Sequence, residues 1–148
     1  MSTVEALVGL QANAAAMYAQ AHGYHWNVKG ILFKELHAFF LEIYEDVYNS
    51  IDPIAENIRK LGADAPFGLV ALLRNATVSI NDDPNLSPVA MLTELAGVNS
   101  VLVAQYKAAF RTASEEDEQA IANFFAERLN QHQFWNWQLK ATLQNTVF

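Results

Sequence analysis

The sequence contains no cysteine. That excludes disulfides, thiolate metal sites and cysteine nucleophiles. Any metal would have to be held by histidine, aspartate and glutamate. Positive charge is scarce as well. Nine lysines and arginines face sixteen acidic residues, a net charge of −7, and none of the nine precedes Lys29. Such a chain is poorly suited to gripping nucleic acid through counterion release and well suited to attracting cations. "MSTVEALVGLQANAAAM" lacks the basic start of a secretory signal, and no run approaches the ~18 apolar residues of a membrane span. A cytoplasmic protein that leaves membranes alone is the expectation.

What is present is apolar and helical. Of 148 residues, 52 % are hydrophobic and 17 % charged, which fits one globular domain over 1–148 with a sizeable core. Val4, Leu7, Val8, Ala14, Ala15, Tyr18 and Ala21 recur at helical spacing within residues 3–28, and Gly30 is a natural stop. Residues 31–61 carry a second apolar seam through Phe33, Leu36, Phe40, Tyr44, Val47, Ile51, Ile54 and Ile58, ended by Gly62. Pro53 inside this segment predicts a bend. Residues 63–86 read as a connector with a short helix at "GLVALLRNA". Ser87 as N-cap with Pro88 behind it opens a third long helix. "SEED" from Ser114 has the capping-box pattern and predicts the start of a fourth, which runs nearly to the end. The sum is an all-α four-helix bundle with a long crossover carrying a short helix. A bundle of other connectivity is the alternative.

Three of the four histidines, His22, His25 and His37, lie within sixteen positions. Asp52 and Glu56 are four apart, so their carboxylates leave one helix face together. His37 and Asp52 are separated by roughly 22 Å of helix at 1.5 Å per residue. If the histidines and carboxylates serve one site, two subunits must build it. An antiparallel crossing of the second helix with its copy near Tyr44–Glu45 sets position i against about 89 − i. His37 then meets Asp52 of the second copy, and the symmetry makes two equivalent sites. The ordinary alternatives are interface histidines and a solvated acidic face.

"HWNVKG", then His37, then "DPIAE" resembles the Dps family, the mini-ferritins of the ferritin-like superfamily. The likeness covers nearly the whole chain. It implies a spherical dodecamer with ferroxidase sites at two-fold dimer interfaces, where Fe(II) is bound, oxidised by peroxide or oxygen, and stored as ferric mineral. By position in the family pattern, the metal-binding and catalytic residues are His25, His37, Asp52 and Glu56. The family's aspartate four residues after the second histidine is Leu41 here, so the resemblance implies a site one ligand short. Glu45, one turn on, is a candidate replacement. Trp26 beside His25 reads either as packing or, as in the family, as a group that intercepts oxidising equivalents. Trp135 and Trp137 read as packing near a symmetry axis, and His22 as a surface or interface residue. The family lines a three-fold iron pore with acidic residues at the start of the last helix, which by position are Asp117 and Glu118. DNA-binding members use lysine-rich tails. With Lys140 the only cation in the last twenty residues, weak or no DNA binding is expected. A second reading keeps the shell but not the catalysis, with Leu41 crippling the site. A third is a small helical interaction module without metal.

Overall fold

A computed structural model of the chain describes residues 1–144. Five helices follow in order: α1 Thr3–Asn27, α2 Phe33–Lys60, α3 Leu69–Asn75, α4 Pro88–Glu115 and α5 Gln119–Leu143. There is no strand among the described residues. The four long helices and the short α3 in the crossover are the expected architecture.

The helix ends show why the chain turns where it does. Ser2 caps α1, its Oγ accepting from the Glu5 N–H at 3.1 Å. Ser87 caps α4 the same way from Ala90, with Pro88 in the first turn. Gly62 adopts φ +87° after α2. There the Gly62 N–H reaches the Arg59 carbonyl and the Ala63 N–H the Ile58 carbonyl. This is the Schellman pattern that satisfies the last carbonyls of a helix.

The same pattern corrects the reading of "SEED". Ser114 does not open the fourth helix; it lies inside α4 and its hydroxyl bonds back to the Phe110 carbonyl. The α4 helix ends at Glu115, the Glu118 N–H bonds to the Ala113 carbonyl, and Asp117 takes the left-handed position at φ 59°. A serine followed by acids satisfies the capping-box pattern, but here Asp117 does the work glycine usually does at a C-terminus. The α5 helix starts at Gln119 with no side-chain cap. Its last turn ends at Leu143, so the final residues of the expected helix lie outside the described range.

The α2 helix is continuous through Pro53. Proline removes the N–H that Asn49's carbonyl would accept, and Asn49 is exposed, so water can take its place. The buried seam of α2, Leu36, Phe40, Ile43, Val47, Ile54 and Ile58, packs on α1; α4 packs on α5 through Leu95, Leu102 and Tyr106. These two hairpins meet chiefly along α1 and α4. Asn13 ties the crossover down, donating to Thr77 Oγ1 and Gln105 Oε1 at 2.8 Å and accepting from the Thr77 N–H at 2.9 Å. The α4 helix is long and apolar enough to cross a membrane by composition, yet its stripe from Met91 through Ala113 is buried within the bundle.

Candidate metal centre

The α1–α2 turn folds His25 and His37 onto each other. Their rings stack at 3.7 Å with 13° between planes. Nδ1 of each lies 2.6 Å from the backbone carbonyl of the other. A carbonyl oxygen only accepts, so each Nδ1 carries the hydrogen and donates it. The arrangement uses the end of α1, where carbonyls have no helical partner. It also fixes both tautomers and leaves both Nε2 lone pairs unspent. A second hydrogen bond that sets the tautomer and ring orientation is what metal-ligating histidines have. His25 is buried and His37 half-buried, with Phe33 stacked on its outer side at 4.9 Å.

The carboxylates sit elsewhere. Asp52 and Glu56 are exposed, with no hydrogen bond or ion pair among the described residues. Glu56 borders a cleft of about 350 Å3 between α2 and α5 that Lys60 and Glu118 also line. Among the described residues no three histidine, aspartate or glutamate side chains of one chain converge to hold a metal. Within one chain the histidine pair and the carboxylate pair are thus separate. His37, Leu41, Glu45, Tyr48, Asp52 and Glu56 follow one another at helical spacings of three and four, so they share one outer face of α2. Leu41 is half-buried there, and Glu45 is exposed.

Trp26 is 65 % exposed and its ring lies on His22 at 4.0 Å. His22 is itself half-buried, stacked on Tyr44 at 4.0 Å. Burial first, and the nearby His25 second, lower its pKa below the ordinary imidazole value. Asp117 and Glu118 stand in the α4–α5 turn, exposed and half-buried respectively. Trp135 is buried, whereas Trp137 is 64 % exposed.

Sequence reasoning missed a second polar cluster, inside the bundle. Arg128 on α5 grips Asp46 on α2 with paired N–H···O bonds of 2.8 and 3.0 Å, and the Trp135 indole N–H donates to the same carboxylate at 2.8 Å. Arg128 also lies 3.0 Å from His132 Nε2, and His132 Nδ1 meets Asn99 Oδ1 at 2.9 Å. Arg128 has no acceptor, so it donates to Nε2 and His132 must donate from Nδ1. Burial, with Arg128's charge added, pushes His132 down to about 3. Burial pushes Asp46 up, but the Arg128 and Trp135 donors and the Arg128 charge outweigh it and hold it below its ordinary value. The signal was available: Phe125, Arg128, His132, Trp135 and Leu139 form a single helix stripe, so two polar residues had to point inward.

Helices paired in this way, with a crossover between the two hairpins, define a ferritin-like bundle. The chain matches the ferritin-like domain family over residues 4–147. It is 29 % identical to the DNA protection during starvation protein of Helicobacter pylori, spanning 97 % of this chain and 99 % of that one. The structure of Dps from Thermosynechococcus elongatus superposes with a TM-score of 0.94 at 27 % identity, covering 97 % of this chain and 91 % of the other. Dps from Vibrio cholerae, described as one of a broad superfamily of ferritin-like diiron-carboxylate proteins, gives 0.92 at 30 %, covering 96 % and 89 %. The chain is a ferritin-like protein and belongs to the Dps family. Iron storage and protection are the general work of that family.

Proposed function

We propose that this chain is a mini-ferritin that binds Fe(II) between subunits, oxidises it and stores the ferric product. His25 and His37 of one copy supply neutral nitrogen donors. Asp52 and Glu56 of a second copy supply charge and hard oxygens, which favour Fe(III) over Fe(II). Two Fe(II) ions give one electron each to a peroxide, which takes up two protons and leaves as two waters. The observation that carries the reading is the reciprocal His25–His37 bonding, which spends both Nδ1 hydrogens on backbone carbonyls and leaves the Nε2 lone pairs free to bind a metal.

Two further observations support it. The outer face of α2 carries His37 and Asp52 at opposite ends of a crossing centred on Tyr44–Glu45, as two-fold pairing of α2 requires. The chain's −7 charge favours cation entry, with Asp117 and Glu118 proposed at the pore. The assembly is proposed to be a dodecamer, cytoplasmic and without appreciable affinity for DNA. Peroxide-dependent Fe(II) oxidation by purified protein tests the activity. Rates above buffer that fall in His25→Ala and Glu56→Ala are expected, and rates equal to buffer in all three would refute it.

Leu41 favours a second reading. An aliphatic side chain at the position of a family ligand weakens the site, and the shell would then act by storage and physical protection. Intact assembly with no metal bound at the α2 face would select it.

A further inference from the structure

Tyr18 lies on α1, seven residues before His25, and its hydroxyl is 3.0 Å from His22 Nδ1. Among the described residues it is the one tyrosine hydroxyl bonded to an imidazole. Its ring lies 6.1 Å from Tyr44 and 5.1 Å from Tyr48. Tyr44 in turn stands edge-on to His25 at 5.3 Å. Two ring contacts therefore connect Tyr18 to the histidine pair. We propose that Tyr18 and His22 form a proton-coupled one-electron donor beside the iron site.

The chemistry follows from the hydrogen bond. A phenol that loses an electron becomes a strong acid, and its oxidation is easiest where a neighbouring base accepts its hydrogen bond, which here requires the His22 tautomer with Nδ1 unprotonated. Tyr44 and Tyr48 have no such partner among the described residues. The inference rests on the iron-oxidation reading for its oxidant, and on the Tyr18–His22 geometry alone for its donor. A site lacking the family's fifth ligand and holding one Fe(II) can give peroxide only one of the two electrons it needs. Tyr18 supplies the second. Its O–H bond breaks, the proton forms an N–H bond at His22 Nδ1, and a neutral tyrosyl radical remains. Fe(II) becomes Fe(III), and peroxide takes both electrons and two solvent protons to leave as two waters, with no hydroxyl radical freed. A second Fe(II) then returns one electron to the radical, the proton moves back from His22, and Tyr18 is restored.

Two experiments separate this inference from the function it rests on. In the first, iron-free protein is oxidised by photogenerated ruthenium(III) tris-bipyridine and freeze-quenched for electron paramagnetic resonance. A tyrosyl radical is expected that is lost in Tyr18→Phe, which keeps the ring contacts, lost in His22→Phe, and kept in Tyr48→Phe. A signal surviving Tyr18→Phe, or none in the wild type, overturns the inference whatever iron does. In the second, Fe(II)-loaded protein is mixed with peroxide while Fe(III) and spin-trapped hydroxyl radical are read together. The same radical is expected, and in Tyr18→Phe its loss is accompanied by a rise in trapped hydroxyl radical. Fe(III) formation with no radical and unchanged trapping overturns the inference alone. Fe(III) formation no faster than buffer overturns the proposed function, and the photochemical experiment still decides the Tyr18–His22 pair.

Discussion

His25 and His37 each donate a ring N–H to the other's backbone carbonyl, so neither imidazole turns without breaking a bond that anchors its neighbour's helix. His37→Ala removes one lone pair and one of these bonds. Fe(II) or Co(II) affinity in an anaerobic titration is expected to fall by at least about tenfold, the lower end of what the loss of a supporting residue costs a metal site. Unfolding free energy falls by only about 1 kcal/mol, the net worth of one hydrogen bond. A metal affinity unchanged within error would remove the histidine pair from the site.

Leu41→Asp places a carboxylate on the same outer face of α2, one turn from His37. Metal affinity is expected to rise about tenfold or more if that carboxylate joins the shell, by reversal of the effect above. A second metal ion per site should appear in the titration. The change costs little fold stability, because Leu41 is only half-buried.

His132 gives the molecule a pH dependence whose sign is fixed. Its folded pKa, about 3, lies below the ordinary 6.5, so below pH 6.5 the unfolded chain binds a proton that the folded chain refuses. Stability is full above 6.5 and falls as pH drops toward 3. Asp46, held below its ordinary 3.8, adds a further loss as pH falls through that lower range. Urea unfolding across pH 7 to 4 should show the slope, and His132→Gln should flatten it.

Arg128 and Asp46 side chains are 12 % and 24 % exposed. Arg128→Met strands the Asp46 carboxylate with Trp135 as its one remaining donor, and a cost of about 3 kcal/mol is expected in denaturant unfolding. Arg128→Met with Asp46→Leu should recover most of that, because a matched apolar pair avoids the buried charge. Additive losses in the double variant would show that Arg128 and Asp46 are not energetically coupled.

In gel retardation at about 150 mM salt no DNA shift is expected, since binding through phosphates needs clustered cations. The nine lysines and arginines are outnumbered by sixteen acids, and α1 carries none. A salt-dependent shift would locate a basic patch that the single chain does not display.

The fold was legible where a periodic stripe ended on an unambiguous signal. Gly62 and the Ser87–Pro88 pair mark real helix ends, and Gly30 lies in the turn between α1 and α2. "SEED" misled because serine and acids also suit a C-terminus when the acid after them accepts the left-handed conformation, as Asp117 does. Of the candidate site, the sequence carried residue types and their spacing along α2. It could not carry the reciprocal Nδ1–carbonyl bonds, which depend on how the α1–α2 turn sets two helix ends against each other. The Asp46–Arg128–His132 cluster was hidden differently. Its members are distant in sequence, and each alone resembles a surface charge.

That cluster also bears on the order in which the molecule assembles. The α1–α2 and α4–α5 hairpins are local in sequence, whereas Asp46 and Arg128 are 82 residues apart. Closing so long a loop before the contacts that reward it is slow. The ion pair can therefore form only once two preformed hairpins dock. A contact made that late is expected to act as a latch on the finished bundle, setting how fast the native protein opens more than how fast it folds.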